Sequence, residues 1–109
     1  MRIGGETDRS DKAVLPNPGN LVVYNQRFGE TMTFTVTGQS KGTVRGTGSY
    51  TTDSDLATVA VHAGILKDGE TGTVRVTIIG SPAEFTGSTT NGITSESWPQ
   101  GALAAYTVR

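Results

Sequence analysis

Apolar and polar positions alternate through residues 31–37. Met32, Phe34 and Val36 fall on one side and Thr31, Thr33, Thr35 and Thr37 on the other. A period of two predicts a strand with one buried face. Residues 73–79 repeat the pattern, with Val74, Val76 and Ile78 inward. Between them the pattern changes. From Leu56, the side chains of Ala57, Val59, Ala60, Val61 and Ala63 leave almost no polar side. A helix that is apolar all round is enclosed by the rest of the chain. Residues 50–66 are therefore the stretch around which the domain is organised. Asp53 or Ser54 is the expected N-cap, with Asp55 adding negative charge at the positive end of the helix dipole. Gly64 supplies a left-handed stop, and Ile65 folds back onto the last turn. Short strands are expected at residues 21–24 and 44–45, and a final strand of small side chains at 102–108. Gly46-Thr47-Gly48 reads as the lead-in to the helix. Residues 85–97 are irregular, around the tight-turn pair Asn91-Gly92. The fold class is α+β: a single buried helix enclosed by strands in mainly antiparallel β-sheets.

Residues 1–20 read differently. Arg2, Glu6, Asp8, Arg9, Asp11 and Lys12 crowd them with mixed charge, and Pro16 and Pro18 bar a helix. They are expected to form an extended N-terminal arm, leaving 21–109 as the globular domain. At 109 residues the chain has the length of one domain. Eighteen threonines and fifteen glycines fit strands joined by tight turns. A net charge of −1 with few lysines argues against a nucleic-acid surface. Without cysteine there is no disulfide framework, zinc cluster or thiol chemistry. No apolar run approaches the ~20 residues of a membrane span. The first ten residues hold no apolar segment of the secretory kind.

Candidate chemistry is sparse. His62 is the one histidine. Ser54 precedes it by eight residues, about 12 Å along a helix, too far for a dyad. His62 is better read as a buried ring whose nitrogens tie loops to the helix. Asp53 and Ser54 are better read as caps than as acid and nucleophile. The acidic residues are scattered, so no carboxylate pair is expected, and neither a metal nor a cofactor. The glycines at 42, 46 and 48 lack the Gly-Lys-Ser/Thr of a phosphate loop. Trp98, Tyr24 and Tyr106 could form a stacking platform for a flat ligand such as a sugar, although such residues more often pack a core. The threonine ladder at 31–37 is ordinary strand chemistry.

Three blocks together resemble the LCCL domain: residues 46–54, holding Tyr50 and the Asp53-Ser54 pair; Ala60-Val-His-Ala-Gly64; and Phe85-Thr-Gly-Ser-Thr-Thr-Asn-Gly-Ile93. They occur in the family's order, over about residues 34–108. The resemblance implies a helix wrapped by two sheets and a non-catalytic module of extracellular type. It makes Tyr50, Asp53, Ser54, His62, Gly64, Asn91 and Gly92 the structural motif. The chain departs from the animal pattern at Ala57, where a cysteine is expected, and at Arg45, where a tryptophan is expected. Cysteine-free versions look bacterial or phage-like.

Two functions follow as expectations. The first is a structural or interaction subunit of a larger assembly, such as a virion decoration or cement protein. It would be made in the cytoplasm, would end on the virion or assembly surface, and would self-associate or clasp protein partners through the arm. The second is a secreted module that binds glycan or lipopolysaccharide through Trp98 and the loop around Asn91. Neither involves nucleic acid or membrane insertion. An enzyme would need a nucleophile, a base and an oxyanion site that these residues do not supply.

Overall fold

A computed structural model describes residues 13–109 of the chain. Its elements are β1 (Val14–Pro16), a 3₁₀ turn (Val22–Tyr24), β2 (Thr31–Thr37), β3 (Gly46–Thr47), β4 (Ser49–Thr51), α1 (Leu56–His62), β5 (Thr71–Ile79), β6 (Thr89–Thr90), β7 (Ile93–Thr94) and β8 (Ala105–Val108). They form a small α+β fold with one helix and two sheets among the described residues. The larger sheet has six strands in the order β1-β2-β5-β8-β4-β3, and β6 and β7 form a two-stranded ribbon. Every pair is antiparallel except β1 with β2.

The two alternating stretches pair with each other. Met32 lies opposite Val76 and Phe34 opposite Val74, so their inward side chains make one apolar layer. All seven residues of α1 are buried, and the helix touches both β2 and β7. Its C-terminus is closed by a Schellman motif. Gly64 sits at φ 81°, its N–H donates to the carbonyl of Val61, and the N–H of Ile65 donates to that of Ala60. Ile65 packs onto the core.

The N-terminus of α1 corrects the sequence expectation. The cap is Asp55, not Asp53 or Ser54. Asp55 is in extended backbone, and its Oδ2 accepts from the N–H (3.0 Å) and hydroxyl (2.7 Å) of Thr58. Ser54 is drawn away because its N–H donates to the Thr51 carbonyl, while its hydroxyl accepts from the N–H of Arg45. A strand at residues 21–24 is also corrected. Asn20 Oδ1 accepts from the N–H of Val22, and the N–H of Tyr24 reaches back to the Leu21 carbonyl. These local bonds curl the segment into a 3₁₀ turn that buries Leu21 and exposes Val22 and Val23. Gly46-Thr47-Gly48 is not a lead-in but a tight hairpin that turns at Gly48 between β3 and β4. Arg45 forms only an isolated bridge, with Glu96. The last strand begins at Ala105 rather than 102.

Of the expected arm, residues 1–12 lie outside the described residues. Val14–Pro16 pairs with Thr33–Thr35 at the edge of the large sheet. Pro16 lacks an N–H and so suits an edge. Further on, the carbonyl of Gly19 accepts from the N–H of Leu56, and the N–H of Leu21 donates to Thr52. Residues 14–21 therefore dress the sheet edge and the start of α1.

Candidate functional site

The motif residues divide between the two ends of α1. At the C-terminal end, Tyr50, His62, Gly64, Asn91 and Gly92 converge. The antiparallel pairing of β4 with β3 and β8 carries Tyr50 inward, where it is fully buried. Its phenol oxygen lies 3.0 Å from Nδ1 of His62, and the rings meet edge to face at 5.6 Å. Nε2 of His62 lies 3.2 Å from the carbonyl oxygen of Ser88. A carbonyl can only accept, so Nε2 carries the proton and Nδ1 accepts from Tyr50. The carbonyl of His62 in turn accepts from Thr90 Oγ1 (2.8 Å) and Asn91 Nδ2 (3.0 Å). Asn91 and Gly92 reach that position because both have positive φ, 52° and 80°, which makes the two-residue turn of the β6–β7 hairpin. The ribbon is thus fastened to the end of the helix through both the ring and the backbone of one residue.

This junction suits structure, not proton transfer. Ser88 Oγ is 3.3 Å from Nε2, but a nitrogen that already donates to a carbonyl cannot take the hydroxyl proton. Among the described residues the partner of Nδ1 is a buried phenol, not a carboxylate. Ser88 belongs to the 85–93 block that carries the family resemblance, but nothing in the sequence marks its carbonyl as the partner of His62.

At the N-terminal end, Ser54 and Asp53 brace the turn before α1. The Ser54 carbonyl accepts from the Tyr106 hydroxyl at 2.9 Å. Asp53 accepts from Thr51 Oγ1 at 2.6 Å and from Arg45 Nη1 at 3.1 Å. Burial drives the pKa of the Tyr106 phenol well up, and the charges of Asp55 and Asp53 and the neighbouring Tyr50 add to this. Burial also raises that of Tyr50, offset in part by a hydrogen bond with the Gly48 backbone. Folded values above the unfolded one mean that this stability is complete below the ordinary tyrosine range, about 10, and is lost as pH rises through it.

The three aromatic residues proposed as a platform do not come together. Tyr106 is fully buried, so the expected ligand role for it is corrected: β8 turns it into the core beside Tyr50. Tyr24 packs on Phe34 at 6.1 Å under the guanidinium of Arg27. Trp98 alone, half-buried, lines a cleft of about 410 Å³. Opposite its ring, 5.3 Å from the centroid, stands the guanidinium of Arg45, held by Asp53 and by Glu96 (3.3 Å). Arg45 takes up the place of the expected tryptophan as an organiser of this wall. Asn25, Thr52 and Gln100 supply further polar lining. Next to it, sharing Val22, Asn25 and Leu103, is a groove of about 570 Å³ bounded by Val23 and Phe28. Among the described residues no three His, Cys, Asp or Glu side chains are placed to hold a metal ion, and no helix is long and apolar enough to cross a membrane.

None of the curated proteins matches the chain. The family model of the LCCL domain matches residues 24–103, well over half of the 109. LCCL domains are a family of non-enzymatic binding modules. That match runs from the 3₁₀ turn to the approach of β8 and takes in both ends of α1 and the Trp98 cleft, so the chain belongs to the LCCL domain family.

Proposed function

We propose that the chain is a non-catalytic interaction subunit of a larger assembly, of the virion decoration or cement kind, made in the cytoplasm and exposed once assembled. The observation that carries this reading is the apolar groove beside the 3₁₀ turn. Val22, Val23, Phe28 and Leu103 are 43, 80, 55 and 79 % exposed and line one surface. Clustered exposed apolar groups mark places where another protein docks. The occupant proposed is a protein partner that inserts apolar side chains, with residues 1–12 adding a second hold. The test is the mass in solution by light scattering, on the full chain, on a form starting at residue 13, and on Val23→Ser/Leu103→Ser. The truncation must spare β1, because residues 14–16 belong to the sheet. A self-associating full chain that falls to single subunits in either variant supports the reading. Unchanged association in both sinks it.

A second reading, glycan or lipopolysaccharide binding, is favoured by one feature: Trp98 faces a cleft that also holds Arg45, Asp53 and Gln100. Sugars are held by aromatic faces together with side chains that bond their hydroxyls. On this reading Trp98→Ala loses retention on immobilised glycan or lipopolysaccharide while its far-UV circular dichroism stays that of the parent. Retention equal to the parent's removes Trp98 from the site.

A further inference from the structure

The outer face of the large sheet carries the threonines that the core does not use. Thr31 lies opposite Thr77, Thr35 opposite Thr73 and Thr37 opposite Thr71, and the two end pairs are hydrogen-bonded through their hydroxyls at 2.9 and 2.7 Å. One row breaks the pattern. Thr33 lies opposite Arg75, and the backbones of Arg75 and Arg109 exchange both hydrogen bonds at 2.9 Å. Arg75 and Arg109 are therefore a directly opposed pair on one face, and both are exposed. Such neighbours have Cα atoms about 5.5 Å apart. Like charges so placed destabilise a sheet. Among the described residues the neighbours of this pair in the sheet row are Thr33 and Val14, threonines fill the rows beside it, and neither arginine has an Asp or Glu side chain within ion-pair distance. The two side chains instead border a shallow depression of about 320 Å³ with Thr33 and Thr73.

We infer that this depression is a binding site for a sulfate or phosphate ester carried on a hydroxyl-rich molecule such as a sugar. Two guanidinium groups this close can both donate to one tetrahedral oxyanion, each through two N–H groups. The hydroxyls of Thr33 and Thr73 can donate to it or bond the hydroxyls of its carrier. A bound anion removes the repulsion between the arginines, so the sheet and the ligand stabilise one another. The site shares no residue with the Trp98 cleft or the apolar groove and does not depend on the function proposed for either.

The experiment is an amide-shift titration of the full chain by nuclear magnetic resonance, at constant ionic strength with chloride as the reference anion. The probes are inorganic phosphate, inorganic sulfate, glucose 6-phosphate and glucosamine 6-sulfate. The expected result is saturable shifts centred on Thr33, Thr73, Arg75 and Arg109, weakened about tenfold or more in Arg75→Thr, as befits the loss of a charge-assisted fork. Threonine already occupies most of this face, so the variant suits the strand; Arg75→Gln serves if it fails to fold. Melting supplies an independent readout. Without oxyanion, Arg75→Thr melts above the parent, because the like-charge pair is gone. With millimolar oxyanion the parent rises and the variant does not. An equal rise in both would be ordinary exclusion of the anion from protein surface and would overturn the site. So would shifts centred on Arg45, or no saturation by any of the probes. The tighter of the two sugar esters tells whether the natural carrier is phosphorylated or sulfated.

Discussion

His62→Ala lowers the unfolding free energy by about 3–5 kcal/mol. Truncating a large buried side chain to alanine costs roughly 2–5 kcal/mol through lost contacts and the cavity left behind. His62 is 2 % exposed and its ring is enclosed by Tyr50 and the Ser88 segment. The variant also strands two polar groups, the buried Tyr50 hydroxyl and the Ser88 carbonyl, at about 1–3 kcal/mol for each one that water does not reach. Domains of this size are stable by only about 5–15 kcal/mol, so the variant stands near the edge of folding. Urea unfolding followed by tryptophan fluorescence measures it. Tyr50→Phe is the matched control: it keeps the ring and removes one hydroxyl, at about 1 kcal/mol. Equal, small losses in both would mean that the ribbon is not anchored through His62.

That expectation was half legible in the sequence. A lone histidine inside Val59-Ala60-Val61-His62 points to a satisfied buried ring, because nothing else in so apolar a stretch could use it. Its acceptor was not legible. Ser88 and the Asn91-Gly92 turn are brought to His62 by the β6–β7 hairpin, a contact across 26 residues that no local pattern encodes. The same contrast runs through the fold. Where one face of a segment is buried and the other wet, as in β2 and β5, period-two alternation shows it. Where bonds between near neighbours decide, the apolar pattern misleads. Val22, Val23 and Tyr24 look like a strand, yet Asn20 starts a 3₁₀ turn that leaves two of them exposed. Asp53, Ser54 and Asp55 are all good caps by type, and only the pull of Arg45 and Thr51 on Ser54 selects Asp55. The candidate surfaces were the least legible. Arg75 and Arg109 are 34 residues apart and meet only through the pairing of β5 with β8. Trp98 stood out as a single tryptophan, but its partner Arg45 had read as a departure from the family pattern.

Gly46→Ala costs about 3 kcal/mol or more, and the reason separates two effects of glycine. Gly46 has φ 106°, a backbone conformation that strains a residue with a side chain by roughly 1–3 kcal/mol. It is also closed in. A Cβ there meets the carbonyl oxygen of Ser49 at less than contact distance and the ring of Phe85 at 3.1 Å. Neither yields easily, because Ser49 belongs to the tight β3–β4 hairpin and Phe85 is buried and bridged to Trp98. Forced overpacking of this kind adds about 1–3 kcal/mol. Gly48, two residues on, isolates the first effect: its φ is 79°, but a Cβ there meets nothing within 4 Å. Gly48→Ala should therefore cost about 1–2 kcal/mol, the left-handed penalty alone. Denaturant midpoints of the two variants, at equal slope, test the difference. If the two losses match, the clash at Gly46 is relieved by movement of the hairpin. If Gly46→Ala is much the worse, the hairpin is rigid at the point where it holds Tyr50 against His62. The N–H of Gly46 also donates to the Glu96 carbonyl at 3.0 Å. A shift there would loosen Glu96 from Arg45 and open the wall of the Trp98 cleft, so the rigid outcome is also the one in which the shape of the cleft is fixed by the fold.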